Sequence, residues 1–413
     1  MKQLRSTGLL MLVVASMTGG AFAQEPNGAP SEPENDRWIV QFEGAPSENE
    51  IDALISYTGG QTVKRLHLIN GRAVRGPESM VATLRTSILV MRVEKDVIRR
   101  ATAQPSKPAP GEAIPWGVRR IDAEKAWGTS TGSGVKVAVL DTGISLSHPD
   151  LKNNIPPLKD ISKNCSYNAI DPSKAPEDQN GHGSHVAGTI AAVRNNGIGV
   201  VGVAPEATLC AVQVLNAAGF GYCSDIIDGL SWVINKDPLT GECNPRAKVI
   251  NMSYGGADLC TSEGELLDQA HDCARITLVA AAGNNSGGAV DYPAAYVNVK
   301  MLQPVIAVTA IDCKDKFAFF SSQGEQVDLT APGVAIPSTY KRGGYKTLSG
   351  TSMAAPHVSG VAALVLKKNP NLTPDQVKTY LQNTAVNLGL DIKQQGAGLV
   401  NAGNADAVIP TCP

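Results

Sequence analysis

Aromatic residues are scarce in this 413-residue chain: six Phe, four Trp and nine Tyr make up 5% of it. Charge of either sign in excess is also lacking. The net charge is −2 at pH 7, so nothing favours nucleic acid or an anionic membrane as a partner. No apolar run reaches the ~18 residues that a membrane span needs. There is no HExxH pattern and no internal repeat, and no cysteine precedes residue 160. What is present is a globular composition, 43% hydrophobic and 18% charged, with 41 glycines that point to tight turns and close backbone approaches. The length suits two or three domains.

The first residues have the form of an export signal. Lys2 and Arg5 form a positive segment, Leu9 to Ala15 an apolar one, and Ala21-Phe22-Ala23 a small-x-small cleavage site. Residues 1–23 are therefore expected to be removed. An even count of eight cysteines in an exported chain predicts disulfides. Neighbours such as Cys260 with Cys273, or Cys223 with Cys243, are candidates, and Cys210 inside an apolar run is alternatively a buried thiol.

Composition divides the rest. Residues 24–36 are rich in Pro, Glu, Asn and Gly and read as a disordered lead. Residues 37–102 carry a β-α-β-β-α-β pattern. Its parts are a strand over Arg37 to Phe42, a helix over Glu48 to Tyr57, two strands within 62–75, a helix over Glu78 to Arg85 and a strand over Leu89 to Val93. Residues 103–112 form a Pro-rich linker. From residue 113 onward, short β-rich runs (Val135 to Leu140, Thr208 to Leu215, Lys248 to Met252, Thr277 to Ala281, Val305 to Thr309) alternate with helical segments such as Ser224 to Ile234 and Glu263 to Cys273. That alternation predicts an α/β domain, a parallel sheet with helices on both faces, and an active site at the carboxyl ends of the strands.

Three short motifs stand in that second part. Asp141 directly follows the run Val135 to Leu140; such a carboxylate either caps a turn or serves a site. His182 lies in Asn180-Gly181-His182-Gly183-Ser184-His185-Val186-Ala187-Gly188 at the start of an apolar helix. Zinc held by His182 and His185 is the competing reading, with neither HExxH nor a cysteine pair to support it. Ser352 lies in Gly350-Thr351-Ser352-Met353-Ala354-Ala355-Pro356-His357 at another helix start, where the positive end of the dipole favours developing negative charge. Ala354 breaks a G-x-S-x-G elbow and argues against an α/β-hydrolase. A hydroxyl nucleophile, an imidazole base and an orienting carboxylate are the set that acyl transfer requires.

Together the runs Asp141-Thr142-Gly143-Ile144, His182 to Gly188 and Gly350 to His357 resemble the three signature motifs of the subtilase family, in that family's order, within a similarity from about Pro115 to about Ala407. One departure is Ser184, where the family usually has Thr. The resemblance implies a subtilisin-like parallel-sheet catalytic domain over 113–413 and a serine endopeptidase with Asp141, His182 and Ser352 as triad. Asn284 in Ala280-Ala281-Ala282-Gly283-Asn284 matches the family's oxyanion asparagine. Ser253-Tyr254-Gly255 and Gly219-Phe220-Gly221 resemble the backbones that sandwich an extended substrate. Asp291, before Tyr292-Pro293-Ala294, is implied at the floor of the S1 pocket, where a carboxylate would favour Lys or Arg; the alternative is a surface position or a pair with Lys300. Asp150 and the loop Asn195 to Val200 imply structural calcium, with Asp150, Asn196, Ile198 and Val200 as ligands and no catalytic metal. Residues 24–112, with a core at 37–102 and the run Val93-Glu94-Lys95-Asp96, resemble the family's ferredoxin-like inhibitory propeptide. The expected partners are polypeptide substrates and the chain's own propeptide, without nucleic acid or membrane, and the expected state is a secreted monomer.

Overall fold

The computed structural model describes residues 36–101, 104–106, 111–159, 164–297 and 303–403. The leader expected over 1–23 falls outside them.

The N-terminal unit runs β1 (Arg37–Phe42), α1 (Glu48–Tyr57), β2 (Gln61–Leu66), β3 (Gly71–Arg75), α2 (Glu78–Leu84) and β4 (Val90–Lys95). Its four-stranded sheet has the order β2-β3-β1-β4, with antiparallel pairing throughout. Ser47 and Glu50 form a capping box that fixes where α1 starts. Side chains alternate along β1 with the period of two that a strand dictates. Trp38, Val40 and Phe42 join a core with Ile51, Ile55 and Leu84 of the two helices. Ile39, with Leu66 and Ala73, faces the other way, into the core of the larger unit.

Two short strands follow, β5 (Ile98–Ala101) and β6 (Gln104–Ser106). The expected linker thus contributes a strand of its own. Pro105 is compatible with this because β6 pairs on one side only.

The larger unit continues α3 (Trp116–Arg120), α4 (Ala123–Ala126), β7 (Lys136–Asp141), β8 (Tyr167–Asn168), α5 (His182–Ala191), β9 (Thr208–Gln213), β10 (Phe220–Tyr222), α6 (Cys223–Ile234), β11 (Val249–Met252), β12 (Tyr254–Gly255), α7 (Thr261–Asp272), β13 (Thr277–Ala281), β14 (Val305–Ile311), β15 (Val327–Pro332), β16 (Ile336–Tyr340), β17 (Gly344–Ser349), α8 (Thr351–Lys368), α9 (Pro374–Asn383) and α10 (Ile392–Gln395). A seven-stranded sheet of order β15-β14-β13-β11-β7-β9-β8 is parallel at every pairing. Its α/β architecture is the one the alternating pattern predicts. β11 and β13 are buried along their whole length, as strands covered on both faces must be. Helix α8 runs through the core, buried from Thr351 to Leu366. The strand order reverses direction around β7 and β11, so their carboxyl ends frame the crevice where α/β sheets hold their sites.

Candidate active site

Asp141 is the last residue of β7 and has no exposed surface. Its carboxylate oxygens lie 2.8 and 2.9 Å from Nδ1 of His182, the first residue of α5. Gly183 makes this approach feasible. A Cβ there would stand 2.1 Å from the Gly143 carbonyl oxygen and 3.1 Å from the Asp141 carboxylate. Asp178 organises the same helix start. It accepts the N–H groups of Asn180, Gly181 and Ser184 at 2.7–2.9 Å and the hydroxyls of Ser184 at 2.6 Å and Thr142 at 2.8 Å. Sequence reasoning missed Asp178, although an acidic residue four positions before His182, ahead of an apolar helix, is a helix-start signal. Ser184 uses its hydroxyl fully, since that oxygen also accepts the Ser145 N–H at 2.9 Å.

Burial pushes the His182 imidazolium down, but the charge of Asp141, its hydrogen bond, and then the charge of Asp178 outweigh burial and hold the ring above its ordinary pKa. The other ring nitrogen, Nε2, is buried without a hydrogen-bond partner among the described residues.

Ser352 is the second residue of α8, fully buried, with Oγ donating to the Ser253 carbonyl at 2.8 Å. Ser253 in turn donates its hydroxyl to the Ser352 carbonyl at 3.0 Å and receives the Asn251 amide at 2.9 Å. These bonds lock the end of β11 to the start of α8. Asn284, just after β13, accepts both the N–H and the hydroxyl of Thr351 on Oδ1, each at 3.0 Å. Its oxygen is thereby engaged, which leaves the amide Nδ2 as a donor next to the residue preceding Ser352.

Residues 132–400 match the subtilase family. The chain is 45% identical over 295 residues to Subtilisin Savinase of Lederbergia lenta, covering 70% of this chain and 98% of the relative. It is equally identical to M-protease of Shouchella clausii over 70% of this chain and 69% of the relative. With Subtilisin E of Bacillus subtilis it shares 39% identity over 372 residues, 88% of this chain and 89% of the relative. The chain belongs to the subtilase family. As a subtilase it is a serine endopeptidase that hydrolyses peptide bonds.

A strand of the chain's own N-terminal part lies between the two segments that resemble the family's substrate-binding backbones. Strand β5 lies between β10 and β12 as the middle strand of an antiparallel sheet, with Phe220 opposite Arg100, Gly221 opposite Arg99, and Tyr254 opposite Ala101. The Ala101 N–H donates to the Gly219 carbonyl at 2.7 Å, and Ala101 lines one cavity with His182 and Gly219. Gly219 is required by its backbone, at φ +85°, more than by space: a Cβ there would stand at an ordinary 3.6 Å from that of Ala101 and 3.3 Å from the Asn180 amide nitrogen. Gly221 serves the fold instead, since a Cβ would meet the Val214 carbonyl at 2.0 Å. Beyond the site, β6 pairs with β17, Gln104 opposite Ser349.

The N-terminal unit anchors itself on the two helices behind β5. Glu94 accepts the N–H groups of Thr261 and Ser262 at the start of α7, at 2.9 and 3.1 Å. Asp96 accepts the Ser224 N–H at 2.8 Å at the start of α6 and pairs with Arg37 at 3.0 Å. Burial, opposed by Arg37 and Ser224, pushes Asp96 up to about 6.

Asp291 is 8% exposed and packs against Gly255 and Gly283, where a Cβ would come within 2.8 Å of the Asp291 side chain. Its carboxylate accepts the Asn285 amide at 2.8 Å. Burial raises its pKa, while Asn285 and the Arg99 charge lower it. Lys300, the alternative partner, lies outside the described residues. Asp150 is fully buried and its oxygens face donors: the Asn196 amide at 2.6 Å, the Val200 N–H at 3.0 Å and the Tyr345 hydroxyl at 3.4 Å. Asn196 Oδ1 accepts the Ile198 N–H at 3.0 Å. Turning that amide over would bring a second oxygen beside the carboxylate, and in that state the donor chemistry suits a hard cation. Among the described residues no group of three His, Cys, Asp or Glu is placed to hold a metal. His185 directs Nε2 to the carbonyls of Ile336 and Lys346 at 2.9 and 3.1 Å, and burial pushes it down to about 3.

The cysteines pair differently from the suggested neighbours. The disulfides are Cys165–Cys210, Cys223–Cys260 and Cys243–Cys273, and Cys313 is also disulfide-bonded. Cys210 is therefore not a free thiol. Close packing of α6 and α7 brings Cys223, at the head of one, to Cys260, at the cap of the other.

Proposed function

We propose that this subtilase is exported as a precursor and cuts itself out of it, with residues 36–101 remaining bound as an inhibitor. The observation that carries this reading is β5. A segment of the chain itself fills the cleft in the antiparallel pairing that a peptide substrate would use. The carboxylates of Glu94 and Asp96 on two helix starts support a docked inhibitory unit. Disulfides support an oxidising compartment.

In the chemical step Ser352 Oγ attacks the substrate carbonyl carbon and passes its proton to His182 Nε2, while Asp141 orients the ring and stabilises its charge. The Ser352 N–H and the Asn284 Nδ2 donate to the oxyanion. The carbon–nitrogen bond breaks as His182 protonates the leaving amine. Water then attacks the acyl carbon, giving its proton to His182; the bond from that carbon to Ser352 Oγ breaks as His182 returns the proton to Oγ, and the acid leaves. The scissile bond in the precursor is Thr102–Ala103. Ala101 pairs with Tyr254, and the next step in that register is Ser253, whose carbonyl holds the Ser352 hydroxyl. In this reading the boundary falls ten residues before the one expected from the Pro-rich linker.

Asp150, Asn196 and the carbonyls of Ile198 and Val200 would hold a structural calcium ion, which would contribute stability and no chemistry. Asp291 gives the pocket for the residue before the cut a preference for a cationic side chain. The mature enzyme acts on polypeptides as a secreted monomer.

The test is labelling with a fluorophosphonate during maturation. The reading requires wild-type label on a product beginning near Ala103 and no label on Ser352→Ala. Label that persists on Ser352→Ala would overturn the assignment of the nucleophile.

A further inference from the structure

Arg99 has no exposed surface, although it belongs to a four-residue strand laid in an open cleft. Its guanidinium is bonded from three nitrogens. Nε donates to Glu263 Oε2 at 3.1 Å, Nη2 donates to the same oxygen at 2.5 Å, and Nη1 donates to the Asp258 carbonyl at 2.9 Å. Glu263, in the first turn of α7, is itself 2% exposed. Around the pair stand the phenol of Tyr254 and the bare backbone of Gly256, where a Cβ would come 3.1 Å from Nη1. The neighbouring residue Arg100 points to solvent. Of the two arginines, Arg99 is enclosed and hydrogen-bonded, whereas Arg100 is exposed and lies over the Phe220 ring, 5.7 Å from its centroid.

We propose that Glu263, with the Asp258 carbonyl, forms a specificity subsite that selects arginine three residues before the residue whose carbonyl is cut, the P4 position of the substrate. This deepens the reading above and rests on its register, in which Thr102 is P1 and Arg99 is P4. A planar fork is matched by one carboxylate and one carbonyl set at its two ends, an arrangement that lysine's point charge does not satisfy. An apolar side chain in the same place would cover a carboxylate without giving it a partner, which is the costly way to bury a charge. The preferred substrate is then a polypeptide carrying Arg-x-x-x before the cut, and the precursor's own Arg99-Arg100-Ala101-Thr102 is the first such sequence the enzyme meets.

The experiment uses wild-type enzyme matured from the full chain and titrated with fluorophosphonate. It compares kcat/KM for peptides that keep Arg-Ala-Thr before the cut and vary P4 among Arg, Lys, Leu and Ala. Arg is expected to exceed Leu at least tenfold and Lys several-fold, mainly through KM. In Glu263→Gln, normalised to titrated sites, the Arg-to-Leu ratio should fall toward one. Equal rates for Arg and Leu in wild type overturn the subsite while leaving the peptidase reading intact. Absence of both label and hydrolysis overturns the peptidase reading itself. If Glu263→Gln does not mature, the wild-type ratio still decides.

Discussion

The Nδ1 atom of His182 sits between both carboxylate oxygens of Asp141, 2.8 and 2.9 Å away, with a buried Nε2 left on its far side. Activity requires the neutral ring, so it falls as pH drops through the His182 pKa, which Asp141 holds above the ordinary value of about 6.5. Asp141→Asn removes the charge that raises it and leaves burial, which lowers it. The acid limb of kcat/KM against pH should move downward, and kcat should fall by about 10⁴. An unmoved limb would mean that another group titrates there.

Maturation offers a second measurement. Ser352→Ala should accumulate as an uncut precursor in a protease-free host, with residues 36–101 still attached. Active wild type added in trans should cut it after Thr102, read by N-terminal sequencing. A mutant that matures by itself would show that another protease does the work.

Asn284→Ala should lower kcat by about 10²–10³ with little change in KM, the size established for the corresponding subtilisin asparagine. The two bonds from Thr351 to Asn284 Oδ1 are lost as well. Asn284→Asp, which keeps an acceptor but no donor, separates the two effects. It should remain as slow as the alanine variant if donation to the oxyanion is what matters.

Calcium should slow thermal inactivation. A native-state ligand at a hundredfold excess over its dissociation constant stabilises by about 2.7 kcal/mol. Chelator should shorten the half-life of wild type and have little further effect on Asp150→Ala. Equal half-lives for wild type with and without chelator would remove the ion from the account.

At the S1 floor, Asp291→Asn should reduce the ratio of kcat/KM for Lys over Phe at P1. The Asn285 amide already engages the carboxylate, which moderates the attraction expected of it. Phe ahead of Lys in wild type, with a ratio unchanged by the substitution, would refute a charge-reading pocket.

Local pattern carried most of the architecture. Arg37 to Phe42, Glu48 to Tyr57 and Thr277 to Ala281 form the elements that periodicity predicts, to the residue. The strands of the hairpin Ile336–Tyr340 and Gly344–Ser349 were not legible, because their mixed polar sequence has no clear apolar alternation. Asp141, His182 and Ser352 stood out because their runs resemble the subtilase motifs; their positions at element ends alone fitted capping as well. Glu263 did not stand out. In sequence it is an ordinary acidic residue in a helix's first turn, and the arginine that pairs with it lies on a strand 164 residues earlier in the chain. Cys165–Cys210, Cys223–Cys260 and Cys243–Cys273 were hidden for the same reason, since they join residues 30 to 45 apart whose meeting depends on the tertiary fold.

The Cys223–Cys260 bond has a consequence for the groove. Cys223 directly follows β10, one wall, and Cys260 stands between β12, the other wall, and the helix that bears Glu263. The disulfide ties together the chain segments that carry the two strands flanking β5, which limits how far those strands can part. A ligand entering between them loses its own freedom but leaves less of its host to be ordered.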